Sequence, residues 1–152
     1  MIELQWEADI RASPERVFAL LAELRGYHRW LPNSSAFRGT HQISEGPIGV
    51  GTTYTEPGPF GVRHGRVIEF EPPRRLSFEQ PMTSRIKAMG VIGIHVFHTL
   101  TPGSGTVHLR RQLQLDPRGP VKWLMPVIVP AFRAENARMI RALKAYAESD
   151  QA

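Results

Sequence analysis

Cysteine is absent from this sequence. Its absence excludes a disulfide framework, a zinc–thiolate site and a thiol nucleophile, and it is compatible with a reducing compartment. Long apolar runs are absent too: the longest, residues 123–132, is interrupted by Pro126 and Pro130 and is shorter than the ~20 residues of a membrane-spanning helix. Because the N-terminus is acidic where a secretion signal is basic, we predict a cytoplasmic protein.

The sequence also lacks the short motifs that identify several common enzymes and binding proteins. It has no phosphate-binding glycine loop with a lysine, no HExxH metal motif and no GxSxG nucleophile motif. We therefore predict neither a cofactor nor a dedicated metal site. The net charge is +5, but the basic residues are scattered and no RNA-binding or zinc-finger pattern accompanies them, so nucleic acid is not a predicted partner.

The chain length of 152 residues fits a single domain over 1–152. Apolar and polar residues alternate over 2–10, which predicts a half-buried strand. Ser13 and the proline that follows it then provide a helix N-cap and a favourable first helical residue. An apolar face at every third or fourth residue predicts a helix that ends at Gly26, and a second short helix that ends near Pro32.

Turn residues recur regularly in the middle of the chain, where helical periodicity is missing. The segments between them predict six further strands, at 37–44, 51–56, 62–71, 75–80, 86–100 and 106–115. Short connections favour an antiparallel meander. After Pro120 a helical pattern returns as far as about Ala147. Its two internal prolines, Pro126 and Pro130, should kink or segment the first half of this helix.

Five segments occur in the order found in a known superfamily: residues 12–18, 30–32, 49–52, 70–76 and 105–106. The sequence resembles the SRPBCC superfamily of START-related and birch-pollen-allergen-like domains, and within it the bacterial polyketide cyclase/dehydrase-like branch. The resemblance implies an α+β helix-grip fold. In this fold a curved seven-stranded antiparallel sheet wraps around a long C-terminal helix, two short helices follow the first strand, and a cavity lies between sheet and helix.

One predicted strand carries a charge on its apolar face. Arg111 alternates in phase with Leu109 and Leu113, which predicts an inward guanidinium. A buried guanidinium needs a carboxylate partner or an anionic ligand group. The alternatives are a register shift that turns Arg111 to solvent, or a structural salt bridge with an acid such as Glu69.

Three other polar residues are candidates for the cavity wall. His95 and His98 are three apart in one strand, so they point to opposite faces and cannot share a metal ion. We expect His98 to point inward, either as a general base or hydrogen-bond partner of a ligand, or as a satisfied core residue. Asn136 lies in the apolar stripe of the long helix, and Tyr54 offers a phenol.

We therefore predict a largely apolar cavity with about three polar contacts. The predicted ligand contacts are Arg111, His98, Asn136, Tyr54, Trp30, Met89, Phe132 and Met139. His98 and Tyr54 are also the candidates for acid–base catalysis.

The leading hypothesis is the binding or transport of a hydrophobic or amphipathic small molecule, such as a lipid, in this cavity. The alternative is an enzyme of the cyclase/dehydratase type that acts on a hydrophobic substrate. A third hypothesis is an interaction module or homodimer. The apolar stretch 123–130 has three interpretations: it is buried beneath the sheet, it gates the cavity, or it contacts a membrane or a second subunit. Basic residues near this stretch would suit contact with an anionic lipid surface. We expect the protein to be a monomer or a homodimer.

Overall fold

The first strand and the two helices after it are confirmed by the structure, a computed structural model that describes residues 1–149. Strand β1 (Ile2–Ile10) alternates between buried and exposed residues as predicted. Helix α1 (Pro14–Ala22) begins where the Ser13 hydroxyl accepts a hydrogen bond from the Arg16 backbone N–H at 3.1 Å, which satisfies one free donor of the first turn. A 3₁₀ helix (Leu24–Arg29) follows it.

One antiparallel sheet contains all seven strands, so the predicted α+β helix-grip fold is confirmed. The strands after β1 are β2 (Thr53–Pro57), β3 (Gly61–Glu71), β4 (Arg75–Glu79), β5 (Met82–Ser84), β6 (Val91–Pro102) and β7 (Val107–Arg118). Their order across the sheet is β1-β7-β6-β4-β3-β2, and β5 pairs with β3 and β6 at one end. The central strands β6 and β7 pair along their whole length, and this pairing fixes which side chains are neighbours on the inner face.

Two of the predicted strands differ from the structure. Residues 37–44 form no strand and contribute only one bridge, His41 with Thr55, because Gly39 (φ 91°) and Gln42 (φ 52°) adopt left-handed backbone angles that interrupt an extended run. The predicted strand 86–100 is shorter, since a 3₁₀ helix (Lys87–Met89) and Gly90 (φ 97°) precede Val91. The seventh strand is instead β5.

The C-terminal helix α2 (Met125–Ala147) lies against the sheet and is preceded by a 3₁₀ helix (Pro120–Leu124). The helical pattern is thus segmented as predicted before Pro126, which lies in the first turn of α2 where its missing N–H is not needed. No segmentation is found at Pro130, because α2 continues through this residue. Buried residues recur along α2 at three- and four-residue steps, which confirms the inward stripe: Phe132, Asn136, Met139, Leu143. Within 1–149 no helix is long and apolar enough to cross a membrane.

Candidate functional site

A cavity of about 60 Å³ lies between the inner face of the sheet and α2. Its apolar wall is formed by Leu31, Phe37, Phe78, Ile94, Leu113, Phe132 and Met139. Its polar wall is formed by Tyr27, Tyr54, Glu56, Arg63, Gln80, Arg111, Glu135 and Asn136. The cavity wall therefore contains eight polar residues, whereas the sequence led us to expect about three polar contacts. Its charged side chains are of both signs.

Arg111 points inward from β7 and is 8% exposed. Its Nε donates a hydrogen bond to Asn136 Oδ1 on α2 at 2.8 Å, and its Nη1 donates to His98 Nε2 on β6 at 2.6 Å. The second of these contacts follows from register, because His98 and Arg111 are direct cross-strand partners. Arg111 is thus not turned to solvent.

The predicted alternative of a structural salt bridge with Glu69 is also not found. The Glu69 carboxylate instead accepts a hydrogen bond from the Ser77 hydroxyl at 2.8 Å and lies 4.0 Å from Arg75. In the described part of the chain no carboxylate forms an ion pair with Arg111. Burial lowers the pKa of Arg111 to about 10, so the guanidinium is still a cation at neutral pH.

His98 lies behind Arg111 and is not part of the cavity wall. It is 1% exposed, as expected for a residue between Val96 and Leu100 on the inner face of β6. Its Nδ1 lies 3.1 Å from the Leu76 carbonyl, which only accepts, so Nδ1 carries the proton and Nε2 accepts from Arg111. Burial and the adjacent Arg111 charge hold the pKa of His98 well below its usual range, and the imidazole is neutral. Both ring nitrogens are therefore occupied by protein partners.

Asn136 fixes the other side of the Arg111 guanidinium. Its Nδ2 donates to the Phe132 carbonyl one turn earlier in α2 at 2.8 Å, which directs Oδ1 toward Arg111. Three of the predicted polar residues thus form one network across β6, β7 and α2. The network leaves Arg111 Nη2 without a partner among the described residues.

Tyr54 forms part of the wall from β2, where its ring packs over Gly65 of the paired strand β3. Its hydroxyl accepts a hydrogen bond from Gln80 Nε2, and its ring contacts Phe78 edge-to-face at 5.9 Å. Burial raises the pKa of Tyr54 well above its usual range, so the phenol stays protonated and acts as a donor rather than a base.

Sequence analysis missed the ion pair between the buried Glu56 and the half-buried Arg63. Glu56 Oε2 accepts from the Thr40 hydroxyl at 2.7 Å, and Glu56 Oε1 lies 3.4 Å from Arg63 Nε, which has no hydrogen-bond partner in the structure described. A signal was present, because Glu56 is two residues after Tyr54 and shares its strand face. Arg63 is found only through register, as the cross-strand partner of Glu56.

The remaining predicted contacts divide into two groups. Phe132 and Met139 line the cavity. Trp30 is buried outside the cavity wall, with its ring 5.2 Å from that of Tyr27, and Met89 lies farther out, at the surface. Whether any of these residues binds a ligand stays a prediction.

Two further spaces lie in sequence outside the cavity, and neighbouring spaces share lining residues. The first, about 40 Å³, shares Arg63 and Phe132 with the cavity, and we call it the entrance. The second, about 170 Å³, shares Phe60 and Met82 with the entrance and continues as an apolar groove along Met89, Leu124 and Ile128. Polar groups are thus concentrated at the inner end and apolar groups at the outer end.

A seven-stranded sheet that holds a long helix over an internal cavity defines an α+β helix-grip protein. The model of one family, described as polyketide cyclase / dehydrase and lipid transport, matches residues 1–148. The chain belongs to this family, and through it to the SRPBCC superfamily.

Solved structures share the fold at low sequence identity. Norcoclaurine synthase from Thalictrum flavum, in complex with dopamine and hydroxybenzaldehyde, has a TM-score of 0.74 at 16% identity and covers 99% of this chain and 88% of its own. A protein of Mesorhizobium loti has a TM-score of 0.70 at 19% identity, with 95% of each chain covered. The Aha1 dimer of Colwellia psychrerythraea has a TM-score of 0.60 at 17% identity, with 95% and 97% covered. No curated protein matches the sequence.

Proposed function

We propose that this protein binds an amphipathic small molecule, with an anionic oxygen group beside Arg111 and an apolar part that extends through the entrance into the groove. The observation that carries the proposal is a buried cation without a carboxylate partner. Among residues 1–149, Arg111 is hydrogen-bonded only to two neutral groups, Asn136 and the uncharged imidazole of His98, and the Glu56 carboxylate acts on it without forming an ion pair. Since an unpaired buried charge is costly, a ligand that supplies the negative charge is strongly favoured there.

The second cation of the cavity strengthens this preference. Arg63 Nε is buried and has no hydrogen-bond partner among residues 1–149, although Glu56 neutralises part of its charge at 3.4 Å. Arg63 and Arg111 line the same cavity. Two guanidinium groups with free donors match a carboxylate or a similar planar anion better than they match an alcohol or a hydrocarbon.

The volumes decide how such a ligand is arranged. The cavity of about 60 Å³ has room for the volume of roughly two liquid water molecules, which is enough for a head group but not for a lipid chain. The groove is larger, about 170 Å³, and is lined mainly by apolar side chains. An amphipathic molecule with its head inside and its chain in the groove therefore fits the distribution of polar and apolar groups, whereas a wholly enclosed lipid requires the walls to move.

The test compares decanoate with decanol, which have the same chain length and differ in the head group, by isothermal titration calorimetry. Loss of charge-assisted hydrogen bonds worth ~1.5–3 kcal/mol corresponds to about a 10- to 100-fold weaker Kd. We expect Arg111→Met to weaken decanoate binding by that factor and to leave decanol binding unchanged. Methionine keeps an unbranched apolar side chain, so the fold is expected to persist.

Arg110→Met is the matched control, because Arg110 is the adjacent residue of β7 and is exposed on the outer face. It is expected to bind decanoate as the wild type does. Equal affinities of the wild type for decanoate and decanol, or an unchanged decanoate affinity in Arg111→Met, would refute the proposal. Extraction of the purified protein followed by mass spectrometry then identifies the class of the natural ligand.

An enzymatic role of the cyclase/dehydratase type is the second candidate, and Glu56 is the observation that favours it. Glu56 and Tyr54 project from the same face of β2 into the cavity, so a carboxylate base and a phenol donor face the same space. Such a pair suits proton removal next to a carbonyl group.

Deuterium exchange into a 1,3-diketone, followed by NMR, tests this role. Glu56→Gln should abolish the catalysed exchange, whereas Glu79→Gln, which changes an outward-facing residue, should retain it. Exchange no faster than in buffer removes the candidate.

Location in the cytoplasm and the choice between monomer and homodimer stay predictions from the sequence.

A further inference from the structure

The exposed large apolar residues of the described chain are concentrated at one end of the molecule. Seven such residues are found, and five of them lie in or beside the two connections that join β5 to β6 and β7 to α2: Ile86, Val91, Trp123, Leu124 and Val127. Trp123 is 84% exposed and Val127 is 65% exposed. Leaving a tryptophan this exposed beside other apolar residues is unfavourable in water, so this end is expected to have a partner.

The two connections form one continuous surface. Leu124 and Ile86 line the same groove, and the 3₁₀ helices Lys87–Met89 and Pro120–Leu124 contact each other. The backbone is close-packed at their junction, where a Cβ atom on Gly90 would lie 2.0 Å from the Arg118 carbonyl oxygen. We define the apolar surface as Ile86, Trp123, Leu124 and Val127.

Basic residues predominate around the apolar surface. Residues 85–91 and 117–134 contain five basic residues and no acidic residue: Arg85, Lys87, Arg118, Lys122 and Arg133. All five are exposed. Among them only Arg118 forms an ion pair within residues 1–149, at 3.0 Å from Asp116. The other four basic residues are therefore available to an anionic partner.

We propose that this surface docks onto an anionic lipid bilayer. An exposed tryptophan, aliphatic side chains and surrounding basic residues together match the interfacial region of such a membrane, where aromatic rings lie at the head-group level and basic side chains contact phosphates. The groove opens between the same residues and leads to the entrance, which shares Phe60 and Met82 with it. Docking would thus place the opening of the cavity at the membrane. The proposal does not depend on the ligand, because the residues changed in its test, Trp123, Lys87 and Lys122, line neither the cavity nor the groove.

The experiment is sedimentation with sucrose-loaded vesicles of phosphatidylcholine alone and of phosphatidylcholine with phosphatidylglycerol. Each basic residue near an anionic surface contributes about fivefold to binding. We expect binding only to the anionic vesicles, and a reduction of about 25-fold in the double variant Lys87→Gln and Lys122→Gln. Trp123→Ala is expected to weaken binding by on the order of tenfold.

Two control variants match these changes elsewhere on the molecule. Arg74→Gln with Arg110→Gln removes two exposed basic residues away from this end of the sheet, and Val50→Asp changes a loop residue that is 69% exposed. Both are expected to bind vesicles as the wild type does. Trp123→Phe provides a spectroscopic control: it should still sediment with vesicles but lose the blue shift of tryptophan emission on binding, because Trp30 is already buried and the half-buried Trp6 lies in β1, outside the apolar surface.

Equal binding to neutral and anionic vesicles, no binding to either, or equal losses in the control variants would overturn the proposal. Light scattering tests the other possible partner of this surface, a second copy of the chain. If the wild type is a dimer that Trp123→Ala converts to a monomer, and vesicles are not bound, the surface is an interface between two copies of this chain and the membrane proposal is wrong.

Discussion

Gly65 supports the cavity wall by leaving room for the Tyr54 ring, and this contact allows a quantitative prediction. A Cβ atom placed on Gly65 would lie 2.1 Å, 2.3 Å and 2.5 Å from three carbons of that ring. Since carbon atoms pack at ~3.5–4.0 Å, Gly65→Ala forces the ring to move by more than about 1 Å. Tyr54 is 2% exposed and held by Phe78 and Gln80, so the ring can move only by breaking these contacts and filling part of the cavity that it lines.

The magnitude follows from two opposing effects. Overpacking of a well-filled core costs about 1–3 kcal/mol, whereas replacing a strand glycine by alanine stabilises by roughly 0.5–1 kcal/mol. We therefore expect Gly65→Ala to lower the free energy of unfolding by about 1–2 kcal/mol. For a protein of this size that corresponds to a fall in Tm of roughly 2–8 °C.

Chemical denaturation followed by circular dichroism measures the change, and Gly93→Ala is the matched control. Gly93 also lies in the sheet, but an added Cβ there would be 3.5 Å from its nearest neighbour, an ordinary contact. Its stability should be unchanged or slightly raised. The reasoning also requires coupling: in a Tyr54→Ala background, Gly65→Ala should cost nothing. If Gly65→Ala unfolds at the same denaturant concentration as Gly93→Ala, the proposed steric role of Gly65 is refuted.

Two further predictions concern histidine titration. Hydrogen bonds that the exposed His108 donates to the Asp9 and Glu7 carboxylates raise the pKa of His108. The contribution of His108 to stability is therefore present below about pH 6.5 and is lost as the pH rises through the folded-state pKa, so denaturation midpoints of His108→Gln should vary less with pH above 6.5 than those of the wild type. Burial and the Arg111 charge lower the pKa of His98, so stability associated with this site should decrease as the pH falls below about 6.5, because only the unfolded chain then binds the proton. In NMR spectra, His98 should remain neutral at a pH where His108 is already protonated, and protonation of both over the same range would contradict the assigned network.

The sequence by itself determined the elements whose side chains follow a simple period. The alternation of β1 and the inward stripe of α2 both appear where predicted, because burial of one face imposes a period of two on a strand and of three to four on a helix. The same period placed His98 and Arg111 on the inner face. It failed for residues 37–44, since a pattern of residue types does not report the left-handed angle of Gln42.

Only the tertiary structure decided how the inward residues are combined. Asn136 and Arg111 are 25 residues apart, and nothing in the periodicity of either element predicts that they share a hydrogen bond. Register decided the partner of Arg111, because a shift of one residue along β7 would face His98 with an outward side chain. Strand register also places Arg63 opposite Glu56, and this ion pair adds two charged side chains to the cavity wall. The chain pattern thus determines which residues are inside, whereas strand pairing and helix position determine which of them meet, because distances across a sheet are not encoded by local spacing.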